Sequence, residues 1–334
     1  MSFTNPAQTM LWLSFSAGID DKNPYTKDCA TAQQLYPLIQ GRLQTLNSEY
    51  NAAWKVIWGP AIYSFPINLE GRHIDNVLYV VQNGDTNDYA FAIAGTDPYS
   101  LADWVLEDFL VDGTVRWPYP NNFQPTPRMS HGTSIGLTVL LNITPPCDPL
   151  PGVGLRLVSF LSTLTNNGPI NIYTAGHSLG GALAPTLTLA LEDLKSTWDA
   201  DNHATLYPFA FAGPTPGDAG FAGYFQSKFP NLQRVWNSID VVPHAWDTPH
   251  MKELSTLYGS RIDPVAVAVD IVLAVIEHDH YTPLNPQPAT FTGTQQNPKI
   301  TDIKEYFAEA AYQHTTAYLI WAGQDQWPNP SITV

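Results

Sequence analysis

The residues best placed to do chemistry are Gly176-His177-Ser178-Leu179-Gly180, with Gly181 next. An apolar run over 170–175 precedes them and reads as a buried strand. Good helix formers over 182–195 follow. A serine between two glycines at a strand-to-helix turn is suited to attack a carbonyl carbon. The reason is steric. The turn is so tight that strand and helix crowd both flanks, and only glycine leaves room. The same turn lifts the Ser178 hydroxyl clear of the sheet. It also aims the Leu179 N–H at the carbonyl oxygen, from a helix N-terminus where the dipole favours negative charge. A chance glycine-rich turn would lack this framing. Side chains adjacent on such a turn diverge, so His177 reads as packing or hydrogen-bonding scaffold and not as the base.

A serine nucleophile needs a base, and the base needs an orienting carboxylate. On this scaffold the chain order is Ser, acid, His. Arg234-Val-Trp-Asn-Ser-Ile-Asp240-Val-Val-Pro sets Asp240 just after an apolar strand. Asp218, in Pro216-Gly217-Asp218, reads as a turn or N-cap residue. Asp247 is the other competitor. His314, on the last helix, is the leading base. His280 stays open as the alternative; with His278 it flanks Asp279 after the apolar run 265–276. A His-Asp-His triplet offers only two nearby ligands, so a metal reading is weak. His244 and His250 lie very near Asp240 and read as loop residues. No metal or organic cofactor is implied.

Several elements must position these residues. Residues 1–60 read as helical. Runs at 77–81 and 89–94, around Asn83-Gly84-Asp85, form a hairpin signal. Residues 117–127 are loop, 152–165 helix, 205–212 and 232–237 strands, and 303–321 a C-terminal helix. Strands alternating with helices imply βαβ units and a mainly parallel sheet. No repeat, low-complexity tract or linker is visible, so 1–334 reads as one domain with insertions.

Composition narrows the substrate. Lys and Arg total 15 against 30 Asp and Glu, for a net charge of −15. Charged residues are only 13% of the chain, against about 25% in soluble domains. The chain is acidic because bases are scarce. No basic cluster exists to neutralise phosphates, which excludes nucleic acid, and an anionic membrane would repel the chain. A neutral substrate, or one met through apolar contact, remains. Residues 265–276 are too short to span a bilayer, and Asp270 interrupts them. No signal peptide is recognisable at the N-terminus. Cys29 and Cys147 are one bridge or two free thiols, and the sequence does not decide.

Together these segments resemble the class 3 lipase family, the fungal-lipase-like α/β-hydrolases. The likeness is carried by Ala94-Gly95-Thr96 through Trp104, His131-Gly132, and Thr174 through Ala184. Pro214-x-x-Gly217-Asp-x-x-Phe221, Arg234 through Pro243, and His314-x-x-x-Tyr318 complete it. It spans about residues 77–320. The resemblance implies an α/β-hydrolase fold with a mainly parallel sheet, flanking helices and a lid. It implies Ser178, Asp240 and His314 as triad, with Thr96 and Leu179 as oxyanion donors. Residues 98–117 would form the lid, whose helical wheel puts Leu101, Trp104, Val105 and Phe109 on one face. Residues 1–60 become an N-terminal extension, and about 250–300 an insertion. The family often has Arg where Ala94 stands and Phe where Thr133 stands.

The expected activity is hydrolysis of neutral-lipid esters at a lipid–water interface, as by a triacylglycerol lipase, through an acyl-enzyme. Alternatives are a carboxylesterase or feruloyl-type esterase, a phospholipase A1, or a non-catalytic lipid-binding module. The resemblance favours a secreted protein.

Overall fold

The computed structural model describes residues 6–16, 18, 28–68, 71–94, 113–166 and 168–323. They form two compact units. The first holds the described residues up to 94 together with 136–210; the second holds 113–135 and 211–323.

In the first unit, five strands lie side by side in chain order: β1 (Trp54–Asn68), β2 (Gly71–Asn83), β3 (Asp88–Ala94), β4 (Ile170–His177) and β5 (Ala204–Phe211). β1, β2 and β3 pair antiparallel, and β3 pairs parallel with β4. The expected hairpin is present, with Val77 opposite Ala94 and Gln82 opposite Tyr89. β3 is buried from Tyr89 to Ala94, as suits a strand covered on both faces. The sheet is thus antiparallel at its N-terminal edge and parallel where the serine strand enters.

The expectation of helix through residue 60 is corrected at its end. Helices span Pro6–Ser16 and Asp28–Tyr50, but β1 begins at Trp54. The β-prone residues Trp54, Val56 and Trp58 pair with β2 instead. Nor is the first helix a loose appendage. Met10, Leu11, Trp12, Leu13 and Phe15 are all buried. Its last carbonyls, orphaned at a helix end, find donors: Arg42 Nη1 reaches Ser16 O at 2.7 Å and Tyr79 Oη reaches Leu13 O at 2.5 Å. Burial lowers the Arg42 pKa and raises that of Tyr79. Cys29 and Cys147 are joined in a disulfide, which settles what the sequence left open.

The second unit collects the segments after 210. Val241, Val242, Trp246, Met251, Tyr258, Val265, Val269 and Tyr306 share one apolar core. The stretch after residue 250 thereby has an interior of its own, which includes helix Asp263–Val275. No helix among the described residues is long and apolar enough to cross a membrane. The expected C-terminal helix is two helices, Ile303–His314 and Thr316–Trp321. The break falls at Thr315, at φ −123° and ψ −75°, whose hydroxyl donates to Ala311 O at 2.6 Å. Such back-bonding by a β-branched residue disturbs a helix. At the other end, Asp302 accepts from Glu305 N while Glu305 accepts from Thr301 N, a cap that fixes where the helix starts.

The disulfide closes a loop of 118 residues. Replacing both cysteines with serine should lower the unfolding free energy by about 4–5 kcal/mol. Urea unfolding checks this; an unchanged midpoint would mean that the bridge adds no stability.

Candidate active site

β4 runs to His177 and the next helix starts at Leu179, so Ser178 alone makes the turn. It sits at φ 62° and ψ −126°, a conformation costing an L residue about 1–3 kcal/mol. The two glycines permit it. A Cβ on Gly176 would fall inside contact distance of the Gly180 carbonyl. One on Gly180 would lie 2.5 Å from Ile93 O on β3. The Ser178 hydroxyl makes no capping bond to the helix it precedes. The Leu179 N–H is one of the four at that end without a carbonyl partner inside the helix. The first turn is closed by Gly181 N donating to Ser178 O at 2.8 Å.

Beneath the turn the packing is tight. The Phe15 ring lies 4.4 Å from the buried His177 ring, so the N-terminal helix supports the elbow, and His177 is a packing residue as expected. Thr174 on β4 and Thr188 on the following helix are hydrogen-bonded through their hydroxyls. That helix, Leu179–Asp193, is buried from Gly180 to Leu191. An element buried all round cannot drift, which keeps the strained residue where the backbone puts it.

The second unit brings Asp240 and His314 together. Their exposures are 0% and 1%. His314 Nδ1 lies 3.0 Å from Asp240 Oδ1 and 2.9 Å from Oδ2. Two further donors serve the carboxylate: Val242 N to Oδ1 at 3.1 Å and Tyr318 Oη to Oδ2 at 2.8 Å. Tyr318 is buried too. Burial first, and the Asp240 charge second, push its pKa well above the ordinary range. It therefore stays a neutral donor. A carboxylate paired with imidazole Nδ1 leaves Nε2 as the proton-accepting end.

The competing residues lie elsewhere. His278 and His280 are exposed, and Asp279 accepts from Gly113 N at 3.2 Å. The carboxylate of Asp240 is met by His314, not His280. Asp218 is the N-cap of helix Ala219–Lys228, accepting from Phe221 N, as its turn context indicated. Asp247 bonds His250. His244 is buried with Nε2 3.1 Å from Ser238 O, and burial lowers its pKa. Thr96 and the lid residues Leu101, Trp104, Val105 and Phe109 lie outside the described residues.

Sequence reasoning gave Tyr318 no task, although it stands four residues after His314, on the helix that follows the break. It also missed Asn237, whose N–H donates to Tyr318 Oη at 3.0 Å and whose carbonyl accepts from Asp240 N at 3.0 Å. The signal was its place in the Arg234–Pro243 segment that carries the resemblance, three residues before the acid.

An α/β sheet carrying a serine elbow, with a buried Asp–His couple later in the chain, is the α/β-hydrolase plan. Comparisons with known proteins agree. Residues 155–248 match the family model for class 3 lipases. The crystal structure of M37 lipase is similar at TM-score 0.82 and 28% identity, covering 96% of this chain and 94% of that one. Lipase II from Rhizopus niveus matches at TM-score 0.43 and 19% identity, over 73% of this chain and 75% of its own. No curated protein matches. The fold is that of the α/β-hydrolases, and the findings support a carboxylic ester hydrolase. The matched stretch, 155–248, contains both the serine elbow and Asp240.

Removing the Tyr318 hydroxyl leaves a buried carboxylate and a buried N–H each short of a partner. Tyr318→Phe should cost about 2–3 kcal/mol in urea unfolding. A midpoint equal to the parent's would show that these groups are satisfied without the phenol.

Proposed function

We propose that the protein is a serine hydrolase of neutral-lipid esters, a triacylglycerol-lipase-like enzyme. The observation that carries the reading is Ser178 at φ 62° on a helix N-terminus, flanked by glycines that admit no Cβ. Strain of this kind persists only where surrounding packing enforces it.

Ser178 attacks the ester carbonyl while His314 Nε2 takes its proton. Asp240 holds the imidazole by Nδ1 and stabilises the cation that forms. The Leu179 N–H and, on the family resemblance, Thr96 hold the oxyanion. The alcohol departs with the proton from His314. Water, deprotonated by the same histidine, then hydrolyses the acyl-enzyme. The lid face of Leu101, Trp104, Val105 and Phe109, an inference from the sequence pattern, is proposed to meet the lipid phase. Scarce cations suit an uncharged phase. The disulfide favours an oxidising compartment, in keeping with secretion.

The test is turnover of p-nitrophenyl esters and of emulsified triglyceride. Ser178→Ala and His314→Ala should each lower kcat by about 10⁴-fold or more, while His280→Ala stays near the parent. Retained turnover in Ser178→Ala would sink the proposal. Preference for short soluble esters, with no gain at an interface, would turn it into an esterase.

A further inference from the structure

Behind the Asp240–His314 couple lies a chain of buried amides that ends on a second buried carboxylate. Glu309 is 3% exposed and sits on the His314 helix. Among the described residues, every hydrogen bond to its oxygens comes from a nitrogen. Gln296 N donates at 3.0 and 3.1 Å, Asn297 N at 3.0 Å and Gln313 Nε2 at 2.8 Å. Gln313 Nε2 also donates to Thr294 O at 2.8 Å. Both its amide protons are therefore committed, and its oxygen must face the other way. That oxygen accepts from Asn237 Nδ2 at 2.9 Å, and the second Nδ2 proton goes to the Gln313 carbonyl at 3.1 Å. The Asn237 Oδ1 is filled by Gly293 N at 2.8 Å and Ile239 N at 3.2 Å. The amide has one orientation, and the Glu309 charge sets it.

Asn237 thereby grips both halves of the couple. Its side chain holds the carbonyl of Gln313, the residue before His314, at a helix end that would otherwise leave it orphaned. Its backbone holds Tyr318 Oη and Asp240 N, and so the carboxylate. We propose that Asn237 is the positioning residue of the Asp240–His314 couple, with its direction fixed through Gln313 by the buried Glu309. This rests on the reading of His314 as general base.

The polarity of the chain supplies the test. Asn237→Asp puts an oxygen against the Gln313 carbonyl and amide oxygens. Gln313 cannot flip to relieve this while Glu309 demands its N–H. On a soluble p-nitrophenyl ester, kcat should fall about 10–100-fold with KM unchanged. The added anion should move the acid limb of the pH profile to higher pH. Adding Glu309→Gln lets Gln313 turn over, its N–H₂ toward residue 237 and its oxygen toward the new amide. The double variant should recover kcat beyond what independent effects predict. A parent-like kcat and acid limb in Asn237→Asp, or strictly independent effects in the double variant, would overturn the proposal. Should Asn237→Asp fail to fold, Glu309→Gln alone carries the test: a lower kcat at constant KM supports it, and a parent-like kcat overturns it. Parallel Ser178→Ala and His314→Ala assays keep the two readings apart. If those variants lose turnover and the others do not, only this proposal fails; if they retain it, the catalytic reading itself has failed.

Discussion

A carboxylate without access to water must be met by donors or leave its charge unpaired at a cost of several kcal/mol. Asp240 is such a group, and much of the second unit follows from it. One donor is local, a backbone N–H two residues on; the other two, an imidazole and a phenol, come from far along the chain. To deliver the last two, the helices Ile303–His314 and Thr316–Trp321 must sit at a fixed rotation about their axes. The apolar core beneath the His314 helix fixes it, with Tyr306 and Ala310 packed among Trp246, Tyr258 and Val265. The stretch after residue 250 is thus part of the site's foundation. It supplies the floor on which the histidine's helix rests.

The first unit solves a different problem, which is backbone strain and not charge. Ser178 is held in an unfavourable conformation by two elements that cannot yield. β4 is locked in register with β3, its Gly176 lies against the backbone of Gly180, and Gly180 in turn lies against Ile93 O. The N-terminal helix, anchored by Arg42 and Tyr79, closes the underside through Phe15 on His177. Arg42 shows how the few cations are used. A guanidinium with little exposure is costly, and its role here is to satisfy helix-end carbonyls. Arg234 likewise lies over the Trp236 ring at 4.9 Å, with its pKa lowered by burial to about 10.

What was legible in the sequence is what short-range sterics and periodicity dictate. The glycines of the elbow could be read because no other residue fits, and the hairpin because apolar runs flank a Gly-Asp turn. Asp218 could be read as a cap because its side chain bonds three residues ahead. The break at Thr315 was not legible, since two adjacent threonines lower helix propensity only slightly. The strand at Trp54 was hidden because its partner, β2, decides it. The link from Asn237 through Gln313 to Glu309 depends on residues 76 positions apart. No local pattern announces an amide that matters only because a distant helix brings its acceptor. The pairing of His314 with Asp240 across 74 positions likewise depends on the fold, which buries both.

The scarcity of charge gains meaning from this arrangement. With only 15 Lys and Arg in the whole chain, each one turned inward leaves the surface more acidic. Arg42 is spent on a helix end and Arg234 on an aromatic face, so neither offers a cation to a partner. The interior meanwhile contains acids whose charge is answered by N–H and O–H dipoles, Glu309 by four bonds from nitrogen donors and Asp240 by backbone, phenol and imidazole donors. Dipolar solvation of this sort needs no lysine and is indifferent to salt at the surface. A chain that stabilises its buried acids with amides can give up cations without loosening its site, and its net −15 then works against anionic surfaces alone.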